Sequence, residues 1–210
     1  MTEKLKPIAL EDLTPKGKRR IDEICRSATK VLSQKGYWAT TMTDISRSTG
    51  VSKGGLYHYF QTKEQLLYLI MERYLGRMLA GLAEEAAAID PPHERIAFLV
   101  RRHVQLYGDN IYESRLMFHD MHLLPPNLLE IMVQKSREYR QIWTEAVGSL
   151  CTGAGFSKSE ITFTTLSLLG MCNWIYLWYD PRGSVDTERL AEQICDVFLG
   201  RFGQRVNMIQ

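Results

Sequence analysis

The sequence predicts an all-α fold, and three observations carry that prediction. Apolar residues recur at i, i+3, i+4 spacing through segment after segment. No stretch alternates apolar and polar residues as a half-buried strand would, and no internal repeat is present. Proline and glycine fall between the periodic segments, at Asp90-Pro91-Pro92, Pro125-Pro126 and Gly153-Ala154-Gly155. With 210 residues, 45% of them hydrophobic and 24% charged, the chain suits one or two soluble domains with a real core.

Residues 1–14 contain one proline and no sustained period, and read as a flexible arm carrying Lys4 and Lys6. A first helix is expected over Pro15–Lys35. Ile21, Ile24, Cys25, Ala28, Val31 and Leu32 form its apolar face, and Gly36 ends it. Lys16, Lys18, Arg19 and Arg20 crowd its start, where positive charge opposes the helix dipole. Helix stability therefore does not explain the cluster; an external anion and chance both remain open.

Thr43 is the expected N-cap of a second helix, Asp44–Thr49, with Asp44 favourable in the first turn. Gly50 supplies a left-handed turn residue, Val51 plugs the turn, and Ser52 caps a third helix, Lys53–Phe60. Thr62 caps a long helix expected from Lys63 to Ala88. Further helices are expected at about 92–108, 112–123, 126–152, 157–179 and 186–203, about nine in all. Asp180-Pro181-Arg182-Gly183 carries a type I turn signature.

Several function classes recede. The four cysteines are scattered, without a C-x-x-C pair, and read as reduced thiols of a cytoplasmic protein. No secretory segment and no 18-residue apolar run is visible, so no membrane partner is expected. His119 and His122 share a helix face, but no further ligands follow at metal spacing. No nucleophile elbow, P-loop or H-E-x-x-H occurs. The expectation is a protein that is not an enzyme and holds neither metal nor cofactor.

Charge and helix geometry point elsewhere. Residues 1–65 hold 12 Lys/Arg against 7 Asp/Glu, and the rest of the chain holds 14 against 17. A basic head on a slightly acidic body suggests where a polyanion would sit. Two short helices joined by a glycine-containing turn have the layout of a helix-turn-helix. On the third helix, Leu56, Tyr59 and Phe60 fall on one side, and Lys53, Gly54, Tyr57 and His58 on the other. Gly54 and Gly55 let backbone approach phosphate, and Tyr57 and His58 offer donors at phosphate height. Lys53 reaches phosphate or a guanine edge, and Thr43 and Lys63 clamp phosphate on either side. The expected DNA-contact set is Thr43, Ser52, Lys53, Gly54, Gly55, Tyr57, His58 and Lys63.

The run from Thr43-Asp44-Ile45 through Gly50-Val51-Ser52-Lys53-Gly54-Gly55-Leu56-Tyr57-His58-Tyr59-Phe60 to Leu66 closely resembles the head of the TetR family of bacterial transcriptional regulators. Ser46 stands where alanine is common in that family, and Gly55 where threonine often stands. The resemblance implies a DNA-binding domain over 15–62 and a ligand-binding and dimerisation domain over 63–210. It also implies a homodimeric repressor that leaves a palindromic operator when a small molecule binds. Phe163, Leu166, Trp178, Leu190, Ile194, Val197 and Phe198, on the last two helices, are the expected dimer residues.

The body is rich in methionine and aromatic side chains, which suit an adaptable apolar cavity and serve equally as core. Arg101, Tyr107, Met117, Phe118, Met121, Trp143, Asn173, Trp174 and Tyr176 are the expected ligand residues. Arg101, Arg102 and His103 read either as an anion-binding mouth or as a solvated face. Gly170–Gly183, with Asn173-Trp174 and Trp178-Tyr179, is similar to a C-terminal signature of the TetR branch controlling fatty-acid and steroid catabolism, which often has Arg-Pro where this chain has Asp180-Pro181. That similarity implies an acyl-CoA effector. The alternatives are an apolar drug-like ligand with control of efflux or stress response, and a ligand-independent architectural DNA binder.

Overall fold

The structure, a computed structural model, describes residue 5, residues 13–153 and residues 155–207. Lys4, Lys6 and most of the expected arm lie outside the described residues, as does Ala154. The described residues form nine helical segments, two of them interrupted, and no strand. In order these are α1 Pro15–Lys35, α2 Met42–Thr49, α3 Lys53–Tyr59, α4 Lys63–Leu79, α5 Leu82–Ala87 and α6 Pro92–Asp109. There follow α7 Ile111–Asp120, α8 Pro126–Leu150, α9 Lys158–Asn173, α10 Ile175–Trp178 and α11 Thr187–Asn207.

Both interruptions correct the sequence reading. The helix expected over 63–88 breaks after Leu79, because Gly81 adopts the left-handed conformation (φ 68°) and restarts the chain as α5. The helix expected over 157–179 breaks at Trp174, leaving α10 as a single turn. Helical periodicity survives a one-residue kink, so neither break shows in the pattern of apolar positions. The turn at Asp180 forms as expected, with the Gly183 amide donating to the Asp180 carbonyl at 2.9 Å.

Packing divides the chain into two units, and not at residue 62. The first comprises residues 1–76 and 112–135, the second 77–111 and 136–210. The chain passes between them inside α4, at the start of α7 and inside α8.

In the first unit α1 packs on α2 and α2 on α3. Ile21, Ile24, Ala28 and Leu32 of α1 are fully buried, as are Ile45, Leu56 and Phe60. Each such aliphatic side chain contributes about 1.5–3 kcal/mol through burial. The Tyr74 hydroxyl, also buried, hydrogen-bonds the Ser114 hydroxyl at 2.8 Å. Arg73 pairs with Asp22 at 2.7 Å, tying α4 to α1.

In the second unit the dominant pairing is α6 with α11. Ile96, Leu99, Val100, Val104 and Tyr107 of α6 are buried, as are Leu190, Ala191, Ile194 and Phe198 of α11. Gly108 marks the closest approach, since a Cβ there would collide with the Thr187 side chain and sit 3.4 Å from the Tyr179 ring. Arg102 reaches back to pair with Glu85 at 2.6 Å and to donate to the Ala80 carbonyl, which holds the α4–α5 break.

Candidate functional site

The α2–α3 pair is held by its own polar groups. Thr41, not Thr43, caps α2: its hydroxyl accepts from the Asp44 amide at 3.1 Å, and the Asp44 carboxylate accepts from the Thr41 amide at 2.9 Å. The Lys35 ammonium, 2.7 Å from that carboxylate, is the main reason its pKa lies well below the usual carboxylate range. The helix starts two residues before the expected Asp44, because Thr41 with Asp44 makes a reciprocal box that Thr43 cannot. Thr43 is left exposed on the first turn. Gly50 takes the left-handed turn (φ 65°), and the Ser46 hydroxyl donates to the Val51 carbonyl at 2.6 Å. Ser46 therefore pins the turn.

Ser52 caps α3 by accepting from the Gly55 amide at 3.1 Å. Beyond it the helix divides as its spacing predicts except at Tyr59, which was expected to pack and is only half-buried. Leu56 and Phe60 are fully buried, while Lys53, Gly54, Tyr57 and His58 are exposed. The two glycines differ. Gly54 has open space where a Cβ would be, but a Cβ on Gly55 would sit 2.9 Å from the Val51 side chain. Gly55 thus serves the tight turn rather than a bare outer surface, which corrects its expected role.

Lys63 also has another task. Its ammonium donates to the carbonyls of Tyr37 (2.8 Å) and Thr40 (2.9 Å) and lies 4.0 Å above the Tyr37 ring. It clamps the α1–α2 turn, and the expected phosphate clamp gives way to this internal one. Thr62 accepts from the Gln65 amide at 3.2 Å and so starts α4. The sequence reading missed Trp38, which stands 79% exposed in the turn that Lys63 holds. An aromatic residue outside every periodic segment was the available signal. Lys16, Arg19 and Arg20 do converge, lining an open groove of about 650 Å³ with Glu23 of α1 and Tyr59 of α3.

Three of the expected ligand residues, Tyr107, Trp143 and Asn173, meet around His103. Met117, Phe118 and Met121 belong to the first unit; Arg101, Tyr107, Trp143, Asn173, Trp174 and Tyr176 belong to the second. Arg101, Arg102 and His103 do not form one mouth, since neighbours on a helix diverge by roughly 100°. Arg101 is exposed, Arg102 is paired with Glu85, and His103 is buried.

His103 instead centres a buried cluster. Its ring stacks on Tyr107 with centroids 4.2 Å apart and meets Trp143 edge-on at 5.5 Å. Its Nδ1 shares a hydrogen bond with the Tyr139 hydroxyl at 2.7 Å, and the Tyr107 hydroxyl donates to Asn173 Oδ1 at 3.0 Å. Burial pushes the His103 pKa down to about 3, with the Asn173 side chain opposing, so the ring is neutral.

The expected dimer residues divide by exposure. Leu190, Ile194 and Phe198 are buried within the second unit, against the expectation. Phe163, Leu166, Trp178 and Val197 are exposed, joined by Trp174 (60%) and Leu177. Trp174 thus leaves the expected ligand set for this surface. The apolar residues of 161–179 thus leave one side open.

Two family models match the chain. One, described as bacterial regulatory proteins of the tetR family, matches residues 24–68; the other, a tetracyclin repressor-like C-terminal domain, matches residues 89–202. The HTH-type transcriptional repressor KstR2 of Mycolicibacterium smegmatis is 23% identical over 194 residues, covering 88% of this chain and 91% of that protein. A TetR-family transcriptional regulator from Bordetella parapertussis superposes with a TM-score of 0.80 at 27% identity, over 85% of this chain and 93% of that one. AibR, in a complex with isovaleryl coenzyme A and operator DNA, superposes with a TM-score of 0.76 at 26% identity, over 85% and 97%.

Proposed function

This chain belongs to the TetR family of bacterial transcriptional regulators, and we propose that it acts as a homodimeric repressor released from its operator by an acyl-CoA. Residues 15–62 are the DNA-binding domain in this reading, and residues 63–210 bind the effector and the second subunit. The observation that carries it is the outer side of α3, where Lys53, Gly54, Tyr57 and His58 are exposed over a filled apolar base. A helix kept only for packing has no use for a bare glycine beside three donor-bearing side chains. Ser52, Thr43 and the groove of Lys16 and Arg19 extend the set toward flanking phosphates. Most of these contacts position the protein, and Lys53 is the residue best able to read a base.

The open apolar stripe on α9, α10 and α11 supports the dimer. A palindrome read in successive major grooves needs two heads roughly 34–36 Å apart. The acyl-CoA assignment rests on the signature over Gly170–Gly183 and on AibR with isovaleryl coenzyme A; a protein named fatty acid metabolism regulator matches over 42% of this chain. Control requires only that the effector prefer one of two head arrangements, and α4, whose residues belong to both units, is the covalent route.

Fluorescence anisotropy on DNA from upstream of the protein's own gene tests this. Binding in the nanomolar range, lost on adding isovaleryl-CoA or octanoyl-CoA, is the expected result. Operator affinity unchanged at saturating acyl-CoA overturns the effector assignment. A thermal shift with apolar drugs and none with acyl-CoAs moves it to the drug-like class, and no shift with either leaves a ligand-blind DNA binder.

A further inference from the structure

Among the described residues, two side-chain polar atoms of the second unit are buried without a hydrogen-bond partner: Nε2 of His103 and Nε1 of Trp143. They are not scattered, since the two rings touch edge-on. Trp143 is 0% exposed and His103 2%. Buried polar groups are almost always paired, and an orphaned donor costs free energy that a native fold rarely accepts without return. Two orphans in one cluster call for a guest, either ordered water or a ligand atom.

The cluster's chemistry selects the guest. Indole Nε1–H can only donate. In the tautomer in which the Tyr139 hydroxyl donates to Nδ1 of His103, Nε2 carries the proton and His103 is a donor as well. Asn173 Oδ1, the nearby acceptor, takes the Tyr107 hydroxyl at 3.0 Å, and no hydrogen bond from Nε2 reaches it. We propose that His103 and Trp143 form the hydrogen-bonding end of the effector site, and that they grip the neutral carbonyl oxygen of an acyl thioester. This deepens the acyl-CoA reading and rests on it.

The walls agree with a neutral guest. Tyr107, Tyr139 and Trp143 surround the two donors with aromatic surface, and His103 stays uncharged, so no cation in the cluster would compensate a carboxylate. A free fatty acid would bring an unpaired anion to this spot, while its thioester would not. The CoA portion, with its phosphates, must then lie outside the cluster.

Isothermal titration with isovaleryl-CoA and octanoyl-CoA, each beside its S-alkyl thioether (isopentyl-CoA and octyl-CoA), isolates the carbonyl. The wild type should bind each thioester about tenfold more tightly than its thioether, the worth of one good hydrogen bond. In Trp143→Phe and His103→Phe, the thioesters should weaken and the gap should close, with thioether affinity kept. A merely structural role would weaken both ligands alike and leave the gap. Equal binding of thioester and thioether by the wild type, or a gap that persists in both variants, overturns the inference and leaves the acyl-CoA reading standing; water is then the guest. If none of the four ligands binds, the acyl-CoA reading itself fails and the inference with it. Trp143→Phe keeps the ring stack, so it remains informative if His103→Phe does not fold.

Discussion

The two units use polar and apolar groups in opposite ways. In the first, α3 buries Leu56 and Phe60 and turns Lys53, Tyr57 and His58 outward. In the second, His103 is buried while Phe163, Leu166, Trp174, Leu177, Trp178 and Val197 are exposed. Large apolar patches on a surface, like orphaned donors in a core, signal a missing partner. The first unit has an orphan of its own, the Ser33 hydroxyl, so the sharper contrast lies at the surface, polar on α3 and apolar on α9, α10 and α11. In the second unit the apolar outside is where the proposed partner subunit would sit, and the cluster around His103 is where the proposed effector carbonyl would. On the proposed reading, that contrast separates a DNA-reading end from an effector-sensing end.

Four measurements would break or sharpen the contrast. The largest effect is expected where the first unit is most finished. Leu56→Ala empties a fully buried site between α3 and its base and should cost about 2–5 kcal/mol in urea unfolding. A loss under 1 kcal/mol would mean that the α3 base is not a packed core.

Next comes the exposed stripe. Trp178→Glu puts a charge into an apolar face and should raise the dimer dissociation constant about 100-fold, near 3 kcal/mol for an aromatic anchor. Sedimentation velocity should show a dimer for the wild type and a monomer for the variant. A variant that stays dimeric, with its melting point unmoved, would place the interface on another face.

His103 supplies the third. The ring is neutral when folded, with a pKa pushed down to about 3, and protonates near 6.5 once unfolded. The unfolded chain thus binds the extra proton, so the stability is fully present above about pH 6.5 and falls as the pH drops toward 3. At pH 5 this group should cost about 2 kcal/mol relative to pH 7.5. Urea unfolding at the two pH values would show that slope in the wild type and not in His103→Phe. Equal slopes would mean that the ring is already charged or solvated.

The smallest effect belongs to the reading surface, where each contact is one among several. Lys53→Ala should weaken operator binding about tenfold and lower the salt slope by about one, and Tyr57→Phe should weaken binding by less with no change of slope. Gel-shift affinity unchanged in both would remove α3's outer side from the contact set.

Legibility followed the same division. Spacing placed every helical segment, the turn at Gly50 and the two sides of α3, because local periodicity and capping chemistry decide those features. It misjudged Thr43 against Thr41, since both are good caps and only the reciprocal bonds to Asp44 choose between them. It misjudged Lys63, because nothing nearby in sequence announces that the carbonyls of Tyr37 and Thr40 will come within 3 Å of it. In the body it recognised the right residue types and could not sort them. Trp143 and Trp174 look alike in a string of letters, yet one is fully buried and the other is 60% exposed.

The sequence by itself determined the all-α class, the helix-turn-helix and the family, because each rests on contacts within a few residues. Tertiary structure alone decided that Gly55 packs, that Lys63 clamps a turn, and that Leu190 and Ile194 are core while Val197 is surface. It alone brought His103, Tyr107, Tyr139, Trp143 and Asn173 together from three helices. The reason is physical: burial and pairing depend on which helices meet, and helices that meet across 30 to 70 residues leave no periodicity in the chain to announce it.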